Sequence, residues 1–504
     1  LKDSVYDQDC HGRAGPYTPA GRIVVSDARL IGLDIGTSSL KGVAIDETGA
    51  IIAETQRAYP VSMPHPGWSE QDPEDWVAAA RDVLVALGGD HADGIGLSGQ
   101  MHGLVALGAD RRPLRPAILW NDSRSQPQAT RIERELGVER LVALSGNRAL
   151  AGFTAPKLAW MADEEPALRA RIAHVLLPKD YVRLALTGEL ATDVSDASGT
   201  LLLDVAARAW SPELARAFDI DPGWLPAVLE SPAISGHTAA GVPVAAGAGD
   251  QAAGALGVGV TDGDGPASLA LGTSGVIFAA RDRYAEDPQG RLHAFCHALP
   301  DRWHVMGVIL AAAGALSWLA DLVGGQGDIP ALLDEAAAWE PGAEGLVFAP
   351  YLSGERTPHA DGDVRGAFVG LDVRHDRGAL TRAVLEGVGH ALRDGLDLIA
   401  AIGPRPAVAR VSGGGARSPL WLSILAAILD LPLQRTESEA GAAYGAALLG
   451  GVSAGVFPDA RTAAQTAVTV TAEIEPDPDW VERYAQQRAR FDALYPALAE
   501  FKTR

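Results

Sequence analysis

Cysteine is almost absent from this 504-residue chain, with Cys10 and Cys296 the only two. That excludes a disulfide framework and a four-cysteine zinc site, and it predicts a reducing compartment, the cytoplasm. Lysine is nearly as scarce, confined to Lys2, Lys41, Lys157, Lys179 and Lys502, and the formal charge is −22. So acidic a chain argues against nucleic-acid binding, which needs faces rich in Lys and Arg. A small anion held by backbone N–H groups, a few cations and a metal stays open. No apolar run reaches the ~20 residues of a membrane span. The longest, residues 305–320, is closed by Asp321 and predicts a buried helix. Residues 1–29 show no clear period and no signal-peptide core, and are read as a start-site extension ahead of the folded part.

What is present is an ordinary globular composition, 47% hydrophobic and 21% charged, on a chain long enough for several domains. The segment LIGLDIGTSS (30–39) reads as an apolar strand entering a Gly-Thr-Ser turn, and Thr48-Gly49 closes a hairpin behind it. An amphipathic helix follows, with Asp72 as N-cap, Pro73 in the first turn and Gly88-Gly89 at its end. Strands and helices then alternate, the signature of an α/β fold. At 268–275 the chain repeats itself as SLALGTSG, with Ala270 where Asp34 stood. Each copy opens an α/β block of similar size, which predicts two related lobes, 30–257 and 258–504, parted by the turn-rich stretch near 255–267. The chain closes on a helix whose aromatic face, Trp480, Tyr484, Phe491 and Tyr495, reads as core packing.

A Gly-Thr-Ser turn offers backbone N–H groups and hydroxyls to a phosphate, and one such turn per lobe could grip a polyphosphate from both sides. A carboxylate beside phosphates needs a hard cation between them, so Asp34 points to Mg²⁺. One metal needs one such aspartate, which makes Ala270 the expected partner. A third glycine segment, VSGGGARSP (411–419), leaves a bare backbone ahead of a helix N-terminus. Neither a Walker A loop nor a GxGxxG fingerprint is present. Asp250, between a strand and a small-residue helix, reads as an N-cap or as a general base at a sheet's carboxyl edge. QMHG (100–103) and WNDSR (120–124) bring His, Asn, Asp and Arg to the same edge, a set suited to sugar hydroxyls. His293, Cys296, His297 and His304 could be drawn as a zinc site, but strand alternation splits them between two faces.

These segments resemble the FGGY family of carbohydrate kinases over about residues 30–500. LDIGTSSLKG is similar to its first phosphate motif, LALGTSG to the second and SGGGARSPLW to its adenosine segment. GFTAPKLAWMADE (152–164) fits one family signature, and residues 366–387 fit another except at Ala379, where a polar residue is usual. The resemblance implies an α/β, actin-like fold of two ribonuclease-H-like lobes with the active site in the cleft between them. It implies ATP and Mg²⁺, with Asp250 as catalytic base and Asp34 both catalytic and metal-binding. It places Met101 and His102 at the sugar, with Gln100, Asn121, Asp122 and Gln251 as neighbours. Gly36, Thr37, Ser38, Lys41, Gly272, Thr273, Ser274, Gly414 and Gly415 would line the ATP site, and Trp318 would flank adenine. QMHG is similar to the ketopentose branch, and the expected reaction is phosphoryl transfer to O5 of D-xylulose. Other ketopentoses, pentitols or polyols stay open as substrates, as does a non-catalytic, sugar-responsive protein of the same fold. Partners beyond sugar and ATP are not expected, and a homodimer stays open.

Overall fold

The computed structural model describes residues 28–324, 328–438 and 440–501. The extension at 1–29 and Cys10 therefore fall almost wholly outside the described residues. Near-continuous apolar runs become strands buried on both faces, as β1 (Leu30–Ile35) illustrates. The first sheet adds β2 (Ser39–Ile45), β3 (Ile51–Ala58), β4 (Gly94–Gly99), β5 (Ile234–His237), β6 (Pro243–Ala245) and β7 (Ala248–Gly249). Its order is β5-β6-β4-β1-β2-β3, with β7 also paired to β4. The second sheet comprises β8 (Ala267–Leu271), β9 (Gly275–Arg281), β10 (His293–Cys296), β11 (Trp303–Ile309), β12 (Ala409–Ser412), β13 (Leu433–Thr436) and β14 (Val470–Ile474), in the order β10-β11-β9-β8-β12-β13-β14.

The two sheets share one plan. Each has a three-stranded antiparallel meander (β1-β2-β3 and β9 between β8 and β11), and two parallel strands then extend from its first member. An antiparallel strand closes each far edge. β8 therefore stands in the second lobe where β1 stands in the first, and the two Gly-Thr-Ser turns occupy equivalent corners. This is the two-lobed, actin-like arrangement of ribonuclease-H-like units.

Helices follow the cap signals. α1 (Pro73–Leu87) starts at Asp72, whose side chain accepts from Glu74 N–H, and stops at Gly88 in the left-handed region, φ 72°. α2 (Thr154–Glu164) and α3 (Asp250–Gly257) belong to the first half of the chain; α4 (Ala313–Leu322), α5 (Arg377–Ala401), α6 (Pro419–Leu429) and α7 (Gly441–Ser453) belong to the second. Ala379, the departure from the second signature, is fully buried at the start of α5 and gives its backbone N–H to the Asp376 cap. Any residue but proline supplies that N–H. The aromatic face at the end divides between α8 (Pro478–Asp492) and α9 (Leu494–Ala499), with Tyr484 and Phe491 buried in the second core.

Two features differ from expectation. Residues 305–320 form strand β11 followed by α4, not one helix. And α7, although in the second half of the chain, packs on β1 and β4 of the first sheet. Glycines permit that approach: a Cβ at Gly96 would lie 1.7 Å from the Ala446 carbonyl oxygen, and one at Gly32 1.9 Å from that of Ala443. Among the described residues, no helix is long and apolar enough to cross a membrane.

Candidate active site

A cavity of about 160 Å³ lies between the lobes. The first lobe lines it with Thr37, Met101, His102, Trp120, Asp250 and Gln251, the second with Ser274, Val276, Met306, Val308 and Arg356. Its volume is below the roughly 300–1,000 Å³ of drug-sized sites, so it suits a molecule smaller than a nucleotide. Asp250 is the first residue of α3, and its carboxylate lines the cavity while accepting from the backbone and side chain of Gln251. Burial, then the neighbouring charge of Asp34, pushes the Asp250 pKa up to about 7. Asp34 is raised too, chiefly by burial, against the opposing pull of Ser98 and Lys41. Its Oδ1 is buried with no hydrogen-bond partner. An orphaned carboxylate oxygen beside a second carboxylate fits a hard cation.

The first turn is braced from four sides. Tyr59 donates to the Gly36 carbonyl (2.6 Å), Gln71 to that of Thr37 (2.7 Å), and Trp120 Nε1 to the Thr37 hydroxyl (2.9 Å). Gln100 completes the frame: its Nε2 donates to Gln71 (3.0 Å) and its Oε1 accepts from Thr37 (3.3 Å). Expected at the sugar, Gln100 is buried and spends its amide on the turn. Lys41 pairs across the ladder with Asp34 and is exposed.

QMHG places His102 at φ 69°, which turns its ring towards Gly199. Nδ1 lies 2.7 Å from the Gly199 carbonyl, which only accepts, so Nδ1 carries the proton and Nε2 presents a lone pair. Burial pushes the His102 pKa down to about 3, so the ring is neutral. Lys157 of α2, fully buried, donates to the carbonyls of His102 (2.8 Å) and Gly152 (2.6 Å). In the second loop Asn121 is exposed and lines a larger cleft cavity of about 970 Å³. Asp122 departs from the expected substrate set. It is buried, pairs with Arg124 and accepts from Ser69 N–H, because Trp68 and Trp160 cover Arg124 and leave its charge to be matched inside.

In the second lobe, the Gly272 and Thr273 carbonyls accept N–H groups from the start of α4. Around Gly414 and Gly415 a cavity of about 810 Å³ opens, walled by Ala313, Leu316 and Ser317 of α4 and by Leu333, Pro419 and Trp421. A Cβ at Gly414 would meet nothing within 4 Å, so a flat ring has room there. Trp318 does not line this cavity. One residue round the helix from Ser317, it stacks on Phe348 and Phe368 and is 37% exposed. The histidines on and just after β10 and on β11 have separate partners: His293 pairs with Asn147 (2.7 Å), His297 with the Val260 carbonyl (2.9 Å), and His304 stacks on Phe278.

The N-terminal domain model of the FGGY family of carbohydrate kinases matches residues 29–257, and its C-terminal domain model matches residues 267–454. The chain belongs to this family. The xylulose kinase of Escherichia coli (strain K12) is 46% identical to this FGGY kinase over 438 residues, 84% of this chain and 90% of that one. A crystal structure from Brucella ovis, described as a xyloylose kinase, superposes with a TM-score of 0.88 at 44% identity, covering 94% of this chain and all of the other. The xylulose kinase of Rhodospirillum rubrum gives 0.86 at 33% identity, over 94% and 99%. Within the FGGY kinase site, sequence reasoning missed Tyr59, Gln71, Glu355 and Arg356. Their only signal is polarity, and they reach the site from segments distant in sequence from its motifs.

Proposed function

We propose that this protein transfers the γ-phosphoryl group of ATP to O5 of D-xylulose, giving D-xylulose 5-phosphate and ADP. The observation that carries the reading is a small two-lobed cavity in which Asp250, lifted to about 7, faces a neutral acceptor at His102. The strong likeness to xylulose kinases supports the choice of sugar.

Asp250 takes the O5 proton as the bond from O5 to the γ-phosphorus forms and the bond from that phosphorus to its bridging oxygen breaks. A pKa near the working pH suits that role, since the base must be ionised yet willing to accept. The backbone of the Gly36–Ser38 and Gly272–Ser274 turns cradles the phosphates, and Lys41 adds a cation. Asp34, with phosphate oxygens, would hold Mg²⁺, which neutralises phosphate charge when bound. The Gly414–Gly415 segment receives adenosine. Met101, Gln251 and Asn121 flank the sugar, and closure of the lobes keeps water from O5.

The test is ADP release with Mg²⁺-ATP against D-xylulose, D- and L-ribulose, gluconate, glycerol and pentitols. A strong D-xylulose preference that disappears in Asp250→Ala supports the reading. Preference for another sugar discards the substrate, and full turnover by Asp250→Ala discards the base.

A further inference from the structure

The two ends of the small cavity carry opposite charge. Asp250 lines one end, and the charge of nearby Asp34 adds to burial in raising its pKa. Arg356 enters the other end from the second lobe. Its positive charge lies near enough to His102 and His293 to oppose protonation of both rings.

Arg356 is also held ready. Glu355 Oε1 accepts from the N–H groups of Leu310 (2.9 Å) and Arg356 (2.7 Å), which fixes the loop but leaves the guanidinium untouched. Among the described residues that guanidinium makes no hydrogen bond and no ion pair. Glu355 is the one carboxyl that acts on it, and burial pushes Glu355 up to about 8, so it gives little negative charge at neutral pH. A half-buried guanidinium with five donors and no acceptor is costly unless a ligand supplies one.

Beside it, His102 Nε2 is an acceptor with no proton to give. A donor-only and an acceptor-only group side by side match a carbonyl oxygen next to a hydroxyl. With O5 at Asp250, the far end of a ketopentose presents that pair at C2 and its neighbouring carbon.

We propose that Arg356 is a specificity-determining residue that donates to the C2 carbonyl oxygen of the ketose, while His102 Nε2 accepts from the adjacent hydroxyl. The inference rests on the ketopentose reading above. A pentitol replaces the carbonyl with a hydroxyl whose proton has no free acceptor there, and a hydrogen-bonding pocket discriminates strongly on such a change.

The experiment measures kcat/KM for D-xylulose and for xylitol and D-arabinitol, its two C2-reduced forms, in the wild type, Arg356→Met and Arg356→Lys. Thermal melting with and without ADP checks the fold and the nucleotide site. The expected result is a loss of about 10- to 100-fold on D-xylulose in Arg356→Met, a smaller loss on the pentitols, and a ketose-to-pentitol ratio that falls accordingly. Arg356→Lys, which keeps the charge but not the fork, falls between. Should Arg356→Met fail to fold, the Arg356→Lys ratio decides. An unchanged ratio, whether both substrates lose equally or neither does, overturns the assignment and leaves the kinase reading intact. A wild type that ignores ketopentoses overturns both.

Discussion

Replacing Asp250 with Asn should stabilise the protein while stopping its reaction, and the gain should grow with pH. Asn mimics the neutral carboxyl that the site prefers. Asp250 has a pKa of about 7 in the folded chain, raised from 3.8, so between those values the folded state binds the extra proton. A raised carboxylate pKa gives stability that is complete below the unfolded value and is lost as pH climbs through the folded one. Three units at ~1.36 kcal/mol each set an upper limit of about 4 kcal/mol, of which about 2 kcal/mol falls between about pH 5.5 and pH 8. The assay is thermal unfolding of wild type and Asp250→Asn at both pH values, in chelator and without nucleotide, so that no cation bound at Asp34 offsets the strain. The variant's advantage in Tm should widen by several degrees towards the higher pH. For the wild type, kcat/KM should rise with pH to a plateau above the same pKa. An advantage that is equal at both pH values would refute the reasoning, because the carboxyl would then not be titrating in that window.

His102→Asn should lower kcat/KM for the sugar by about 10- to 100-fold while leaving the inflection set by Asp250 in place, since a ring with a pKa of about 3 adds no limb near neutrality; steady-state kinetics across pH check this. Lys157→Met leaves the Gly152 carbonyl unpaired and the His102 carbonyl with the Thr154 hydroxyl alone, and should cost about 1–3 kcal/mol in denaturant unfolding and raise KM for sugar but not for ATP. Gly96→Ala drives a Cβ into the Ala446 carbonyl and should destabilise by about 3 kcal/mol or more, whereas Gly414→Ala, with open space around it, should keep the melting temperature and raise KM for ATP.

The strands, the caps of α1 and the repetition of one lobe plan were legible because each is written locally. Gly-Thr-Ser turns, an Asp-Pro start and a Gly-Gly stop declare themselves within a few residues. Residues 305–320 were not legible as two elements. A strand buried on both faces and a buried helix are equally apolar, and period cannot separate them when no polar face interrupts. The docking of α7 on the first sheet was hidden for another reason. What permits it is the absence of side chains at Gly32 and Gly96 in β1 and β4, matched to small residues such as Ala443 and Ala446 some 350 or more residues on.

The same division runs through the site. Asp34, Asp250 and His102 could be named from their motifs because each sits where strand end meets turn, and the chain's own direction aims such residues at the cleft. What those motifs cannot state is which polar groups are free. Asp122 and Asn121 are neighbours in one loop, yet Arg124 claims the first while the second stays exposed, and the claim is enforced by Trp160 of α2. Gln100 is spent on the turn that Tyr59, Gln71 and Trp120 also brace. The first signature thereby acquires a physical meaning: Lys157 pins the backbone of His102 and Trp160 covers the partner of Asp122, so one helix holds both loops. Arg356 is the converse, a charge that no motif marked and no carboxylate claims. In a cavity lined by both lobes, that makes it the charged group the second lobe can bring to a ligand on closing.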